Sequence, residues 1–199
     1  MEQTAHILLV TIAAYRTLPL LTYWFIEQED DFAIKLEVQP LSMQKTNFRL
    51  KQMRKRINAC CKGLLEVQFY DSKESANDSL SSSVLFQWKV DFLHRTVRDF
   101  LMEKEKQDLL NDWAKPGFDV DFMICEAILA QIKTSPQEAE YHQPDGPIEE
   151  LSTIFRYYSV NSIRDGVSLG RRDILLDEFL VQPYFLAIRN KLPLRHNVN

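Results

Sequence analysis

The chain has 199 residues, 45% hydrophobic and 11% aromatic, which suits one or two folded domains and excludes a largely disordered chain. A formal net charge of −4 gives no global reason to expect nucleic acid or an anionic membrane as partner. Three cysteines, Cys60, Cys61 and Cys125, cannot build a disulfide framework: adjacent Cys60 and Cys61 are poorly placed to pair, and the odd count fits a reducing, cytoplasmic setting.

Residues 7–26 hold a single charge, Arg16, over the length of a bilayer span. Arg16 and Pro19 fall mid-stretch, however, where charge is costly and a helix bends, and no Lys/Arg cluster flanks either end. No membrane span is expected. The pattern predicts two buried helices, over residues 3–15 and from Thr17 to Gln28, with Thr17 as cap and Pro19 in the first turn. A loop through Pro40 follows. The third helix is expected over residues 42–62, because Leu50, Met53, Ile57, Cys60/Cys61 and Leu64 recur at helical spacing. Lys51, Arg54, Lys55 and Lys62 fall on its opposite face, and Gly63 ends it.

Residues 64–70 and 84–92 read as strands, joined by a Ser/Asn/Asp-rich loop over 71–83. A helix from His94 to Gln107 follows, with Val97, Phe100 and Leu101 expected on one face. Lys115-Pro116-Gly117 marks a turn and a domain boundary. Beyond it, Asp119 or Asp121 caps a helix to Thr134 with Phe122, Cys125, Ile128, Leu129 and Ile132 inward. A polar linker runs to Pro147. Another helix is expected over 148–160 through Leu151, Ile154, Phe155 and Tyr158. The last starts near Arg172 and breaks at Pro183, and the tail after Leu192 is expected to fray. The fold class is therefore mainly α with a small antiparallel β wing: a winged-helix domain over 1–115, then a helical extension over 116–199.

No complete catalytic constellation is visible. Gly166-Val167-Ser168-Leu169-Gly170-Arg171 lacks the spacing and the Lys-Ser/Thr pair of a phosphate-binding loop, so the chain alone is not expected to hydrolyse ATP or GTP. Ser42-Met43-Gln44-Lys45 fits Ser-x-x-Lys without companion motifs and reads as a helix start. The sequon Asn77-Asp78-Ser79 matters only in a secreted protein. No metal-ligand spacing appears.

Residues 42–65 carry seven basic side chains and no acidic one, against about −11 for the remainder. In a winged helix such a third helix can enter the major groove, with Lys51, Arg54, Lys55 and Lys62 as phosphate contacts. Only Gln52 and Asn58 could read bases there. A solvated face, or one docking an acidic neighbour, is the preferred reading over DNA. His94 has a plain reading as a residue fixing a strand-to-helix turn. It could also donate to a phosphate, with Arg95 and Arg98 raising the local potential, unless these pair with Asp91, Asp99 or Glu103.

The stretch Phe92-Leu93-His94-Arg95-Thr96-Val97-Arg98-Asp99-Phe100-Leu101 resembles the Phe-x-His-x-Ser-x-Gln-Glu-Phe-x signature of NACHT-type NTPases. With Leu18-Pro19-Leu20, Asp31-Phe32-Ala33, Met53-Arg54-Lys55-Arg56-Ile57-Asn58 and Cys61-Lys62-Gly63-Leu64-Leu65-Glu66-Val67, it is similar to the region C-terminal to the NACHT domain in filamentous-fungal NLR-like proteins, over residues 1–136. The resemblance implies a non-enzymatic regulatory and relay segment of a signalling switch. In that group the winged helix packs on the nucleotide-binding core, and its histidine, here His94, contacts the diphosphate of ADP. Exchange to ATP then frees the arm and permits homo-oligomerisation through the core. Thr96 stands where the signature has Ser, Arg98-Asp99 replaces Gln-Glu, and no P-loop core lies in the chain. ADP or ATP is thus expected only with a NACHT core supplied in cis or in trans. A winged-helix DNA-binding protein is the second expectation, and a remnant without activity the third.

Overall fold

The computed structural model describes residues 1–70, 84–136, 146–161 and 169–182. The expectations for 71–83, for the sequon, for most of the 134–147 linker, for the start of the glycine-rich hexapeptide and for the chain beyond Pro183 lie outside these residues.

The first helix, α1 (Glu2–Ala13), buries a run from Ala5 to Thr11, including the polar His6 and Thr11. Both polar groups are provided for. The Thr11 hydroxyl donates to the Ile7 carbonyl at 2.7 Å and lies 3.0 Å from the Tyr23 hydroxyl. At the other end of α1, the Tyr158 hydroxyl donates to the Ala13 carbonyl and accepts from the Tyr15 N–H, both at 2.9 Å, so a distant helix caps this one. Residues 7–26 do not form one long helix, and among the described residues no helix is long and apolar enough to cross a membrane.

The expected Thr17 cap is corrected. Leu18 and Pro19 form a short strand, β1 (Leu18–Pro19), opposite Val90 and Lys89 of the later strand β3 (Trp88–Phe92). Proline is tolerated because β1 is at the edge of the sheet. The next helix, α2 (Leu20–Ile26), then starts directly after Pro19. Within the expected loop a single helical turn, α3 (Phe32–Lys35), follows Asp31, whose φ of 61° is left-handed.

Helix α4 (Met43–Cys60) buries Thr46, Leu50, Met53 and Ile57, the predicted stripe. Ser42 caps it by accepting from the Lys45 N–H at 3.3 Å, which accounts for the Ser-x-x-Lys spacing. Gly63, with φ 76°, makes the left-handed turn after the helix, into β2 (Leu65–Phe69). The three strands form one antiparallel sheet in the order β1-β3-β2, with Leu65 opposite Phe92 and Phe69 opposite Trp88. The expected strand over 84–92 is therefore only half strand: α5 (Val84–Gln87) is a helical turn leading into β3. A helix, a short strand, three further helices of which α3 is a single turn, and then β2 and β3 with the turn α5 between them follow a winged-helix-like order, and the fold class is mainly α with a small β wing.

The single helix predicted from His94 to Gln107 is two. Helix α6 (Arg95–Leu101) ends before Glu103, and α7 (Lys104–Trp113) restarts and packs on α1. Helix α8 (Val120–Thr134) is capped by Asp119, which accepts from the Phe122 N–H at 2.9 Å; Asp121 lies in the first turn instead. Residues 122–134 are buried without interruption, so α8 is surrounded rather than one-sided. It packs against α1, α2 and α3 on the N-terminal side of Lys115, and against α9 (Pro147–Asn161) and α10 (Leu169–Leu180) on the other. Apolar residues of both stretches belong to one cluster.

Two polar devices hold α8 in place. Thr22 of α2 donates to Gln131 Oε1 at 2.7 Å, both fully buried. Lys133 is also buried; its ammonium donates to the carbonyls of Ala33 and Leu36 at 2.9 and 3.0 Å, to that of Ile34 at 3.3 Å, and meets Glu178 of α10 at 2.8 Å. One cation thereby terminates α3 and ties α10 to the core, since it supplies donors to carbonyls that the four-residue helix leaves open.

Candidate functional site

The edge of β3 sets the position of His94. Leu93 extends the ladder one step by donating to the Leu64 carbonyl at 3.0 Å; the chain then turns, and His94, in extended conformation, is the N-cap of α6. Its Nδ1 accepts from the Thr96 N–H at 3.3 Å and lies 2.9 Å from the Thr96 hydroxyl. With Nδ1 accepting from the Thr96 N–H, Nε2 is the ring position left to donate. The ring is exposed. A capping residue and an outward donor are thus combined in one side chain, and Thr96 fixes the ring from below.

Several apolar side chains of the segment that holds His94 are exposed. Leu93 is 51% exposed, Phe100 48% and Met102 53%, while only Leu101 of α6 is buried. The expectation that Phe100 shares the inward face with Val97 and Leu101 is corrected: Val97 and Leu101, four apart, pack inward, and Phe100 points out under the Lys106 ammonium. On α7, Leu110 is buried whereas Leu109 and Trp113, again four apart, are exposed. Arg95 pairs with Asp99 at 3.9 Å on the exposed helix surface, an arrangement worth little to stability. Leu93, Met102, Leu109 and Trp113 were not singled out by sequence reasoning. The signal available was Leu109 and Trp113 running out of phase with Leu110.

The four basic residues considered for nucleic acid lie elsewhere. Lys51, Arg54 and Lys55 are exposed on α4, and Lys62 is exposed in the turn after it, so three of the four share the helix and the fourth extends the run. No acidic residue interrupts α4. Arg54 nevertheless rests on the Trp88 ring at 4.9 Å, and the two other arginines of α4 serve the fold: Arg56 meets Glu27 at 3.7 Å, and Arg49 sits over Trp24 and Phe25. Of the two base-reading candidates, Asn58 is exposed and Gln52 half-buried.

Buried acids form the remaining polar features. Burial pushes Glu27 up to about 7 despite Arg56, and Glu126 up to about 7 despite Arg171, with Asp31 and Asp30 adding to the latter rise. His6, stacked on Phe118 at 3.9 Å and accepting from the Lys115 N–H, is lowered by its burial. Cys61 and Cys125 are buried and Cys60 half-buried, all three free, and burial raises the Cys61 thiol to about 12. Such thiols are packing groups, inert as nucleophiles. Among the described residues, no group of three or more His, Cys, Asp or Glu side chains could hold a metal ion.

Residues 1–143 match the model of a family described as a domain of unknown function, DUF7791, and the chain belongs to that family. No curated protein and no solved structure matches it.

Proposed function

For this DUF7791 protein we propose a non-enzymatic, cytoplasmic role: a regulatory and relay segment that packs its α6–α7 face on a NACHT-type nucleotide-binding core and senses the ADP/ATP state of that core. The single observation that carries the reading is His94, an exposed imidazole whose Nδ1 is occupied by the Thr96 N–H and whose Nε2 is left to donate. A donor fixed in this way costs little to aim at a phosphate oxygen. The exposed Leu93, Phe100 and Met102 would supply the apolar contact that seats it. The chain binds no nucleotide by itself in this reading; ADP or ATP enters only with the P-loop core, in cis or in trans, and any homo-oligomer forms through that core.

The reading is tested on the chain joined to, or mixed with, its cognate NACHT core. His94→Ala should speed ADP release several-fold and shift the assembly towards the open, oligomerising form, because a switch needs differential contacts in its two states. Unchanged ADP affinity and unchanged oligomer state would remove the assigned role.

A second reading, a winged-helix DNA-binding protein, draws on the uninterrupted basic face of α4 with Lys51, Arg54, Lys55 and Lys62 exposed. It predicts salt-sensitive duplex binding that weakens uniformly across sequences when Lys51 or Lys55 becomes Gln. Absence of a mobility shift at micromolar protein would set it aside.

A further inference from the structure

A cavity of about 470 Å³ lies between the segment connecting α3 to α4 and the first turns of α4. No residue of α6 or α7 lines it, so it is independent of the His94 face. Its apolar lining comes from Phe32, Leu36, Pro40 and Leu41. Its charged lining is Lys35, Lys45 and Arg49 with Glu37 as the one acid, a formal balance of about +2. Lys45 and Arg49 stand four residues apart on α4 and therefore project from one face.

Arg49 is the informative member. Its guanidinium carbon lies 5.8 Å from the Trp24 ring centre and 5.5 Å from that of Phe25, so both rings hold it in position. Its Nη1 is shielded from solvent and has no acceptor among the described residues. Burial pulls its basicity down from the ordinary value, the direction expected of a cation without a counter-charge. Buried donors are almost always paired, and a guanidinium N–H is the costliest kind to leave unmatched. The same α4 settles its other inward arginine differently, setting Arg56 against the Glu27 carboxylate at 3.7 Å. Among the described residues no carboxylate is set against Arg49, whose side chain lines the cavity instead.

We propose that this cavity is a binding site for a small organic phosphate. The phosphoryl group would lie between Arg49, Lys45 and Lys35, where a dianion matches the local charge and a planar fork suits its oxygens. The carbon body of the ligand would lie on Phe32, Leu36 and Pro40. The volume falls in the range of small-molecule pockets and exceeds what a bare phosphate needs.

Titration calorimetry on the full chain with phenyl phosphate, inorganic phosphate and benzyl alcohol tests the assignment. Phenyl phosphate should bind saturably at millimolar concentration or below, more tightly than inorganic phosphate, with benzyl alcohol showing no binding. Arg49→Gln should weaken phenyl phosphate by about tenfold or more, as expected for loss of a charge-assisted donor. Arg49 also packs on two rings, so Lys45→Gln, an exposed change that leaves the fold intact, should weaken binding several-fold independently. Lys62→Gln, outside the cavity, should change nothing. Absence of saturable binding, or binding that Lys45→Gln and Arg49→Gln leave untouched, would overturn the site. Equal affinity for inorganic and phenyl phosphate would overturn the role of the apolar lining.

Discussion

Helices α8 and α6 use polar residues in opposite ways. On α8, Gln131 and Lys133 are buried and bonded to other elements, Gln131 to Thr22 and Lys133 to three carbonyls of the α3 segment and to Glu178. On α6 the charged residues lie in solvent, Arg95 beside Asp99, while Leu93, Phe100 and Met102 at its margins are about half exposed. One helix has its side chains engaged by the core; the other has half-exposed apolar groups and a capping imidazole at the surface. Residues engaged in stability are poor candidates for recognition, and unengaged ones on a rigid support are good candidates. The proposal that α6 carries a docking face rests on this contrast.

It can be broken at several strengths. The largest effect belongs to Lys133→Met, which removes the donor to three carbonyls, that of Ala33 buried and those of Ile34 and Leu36 part-buried, and breaks the ion pair with Glu178. Chemical unfolding should show a loss of about 3 kcal/mol. A change near zero would mean that α3 and α10 do not depend on this cation. Thr22→Val comes next. It leaves Gln131 Oε1 without its donor beside an Nε2 that has no partner among the described residues, and a loss of about 1–2 kcal/mol is expected by the same measurement.

Glu126, another buried polar group of α8, gives a pH signature. Its ordinary value of 4.5 is raised to about 7 in the folded chain. The folded state therefore holds a proton that the unfolded state has lost between these limits. Stability from this group is greatest below 4.5, falls as pH rises towards about 7, and then levels off. Glu126→Gln should flatten that decline, its stability relative to the parent rising as pH increases from 4.5 to about 7. Parallel stability profiles for the two proteins would contradict the burial of a protonated acid.

At the small end, Phe100→Ser and Leu93→Ser should leave stability within about 0.5 kcal/mol of the parent, because these groups are already half in solvent. A large loss for either would show that α6 is held by its outer face and would erase the contrast with α8.

Much of this was legible from residue spacing. The stripe Leu50, Met53 and Ile57 lies inward as its periodicity requires, and Asp119 caps α8 because a short acceptor side chain precedes the first helical turn. What escaped depends on partners far along the chain. β1 is only Leu18–Pro19, and its strand character comes from pairing with Val90 and Lys89, which no local pattern encodes. Burial of α8 on all sides looks like amphipathicity until Thr22 and the α3 carbonyls appear opposite Gln131 and Lys133. The break between α6 and α7 leaves the helical spacing of Val97 and Leu101 intact, so periodicity alone ran through it. For the candidate site, His94 could be picked out as a residue, whereas its exposure, its capping contact and the exposure of Leu93, Phe100 and Met102 follow from the Thr96 cap and from which face of α6 meets the core.

The most direct test is hydrogen–deuterium exchange on this chain with and without a cognate NACHT core loaded with ADP. The docking account predicts slower exchange across residues 93–102 in the complex, with 122–134 already protected and unchanged. Exchange across 93–102 that is the same in both samples, in a complex shown to form, would contradict it.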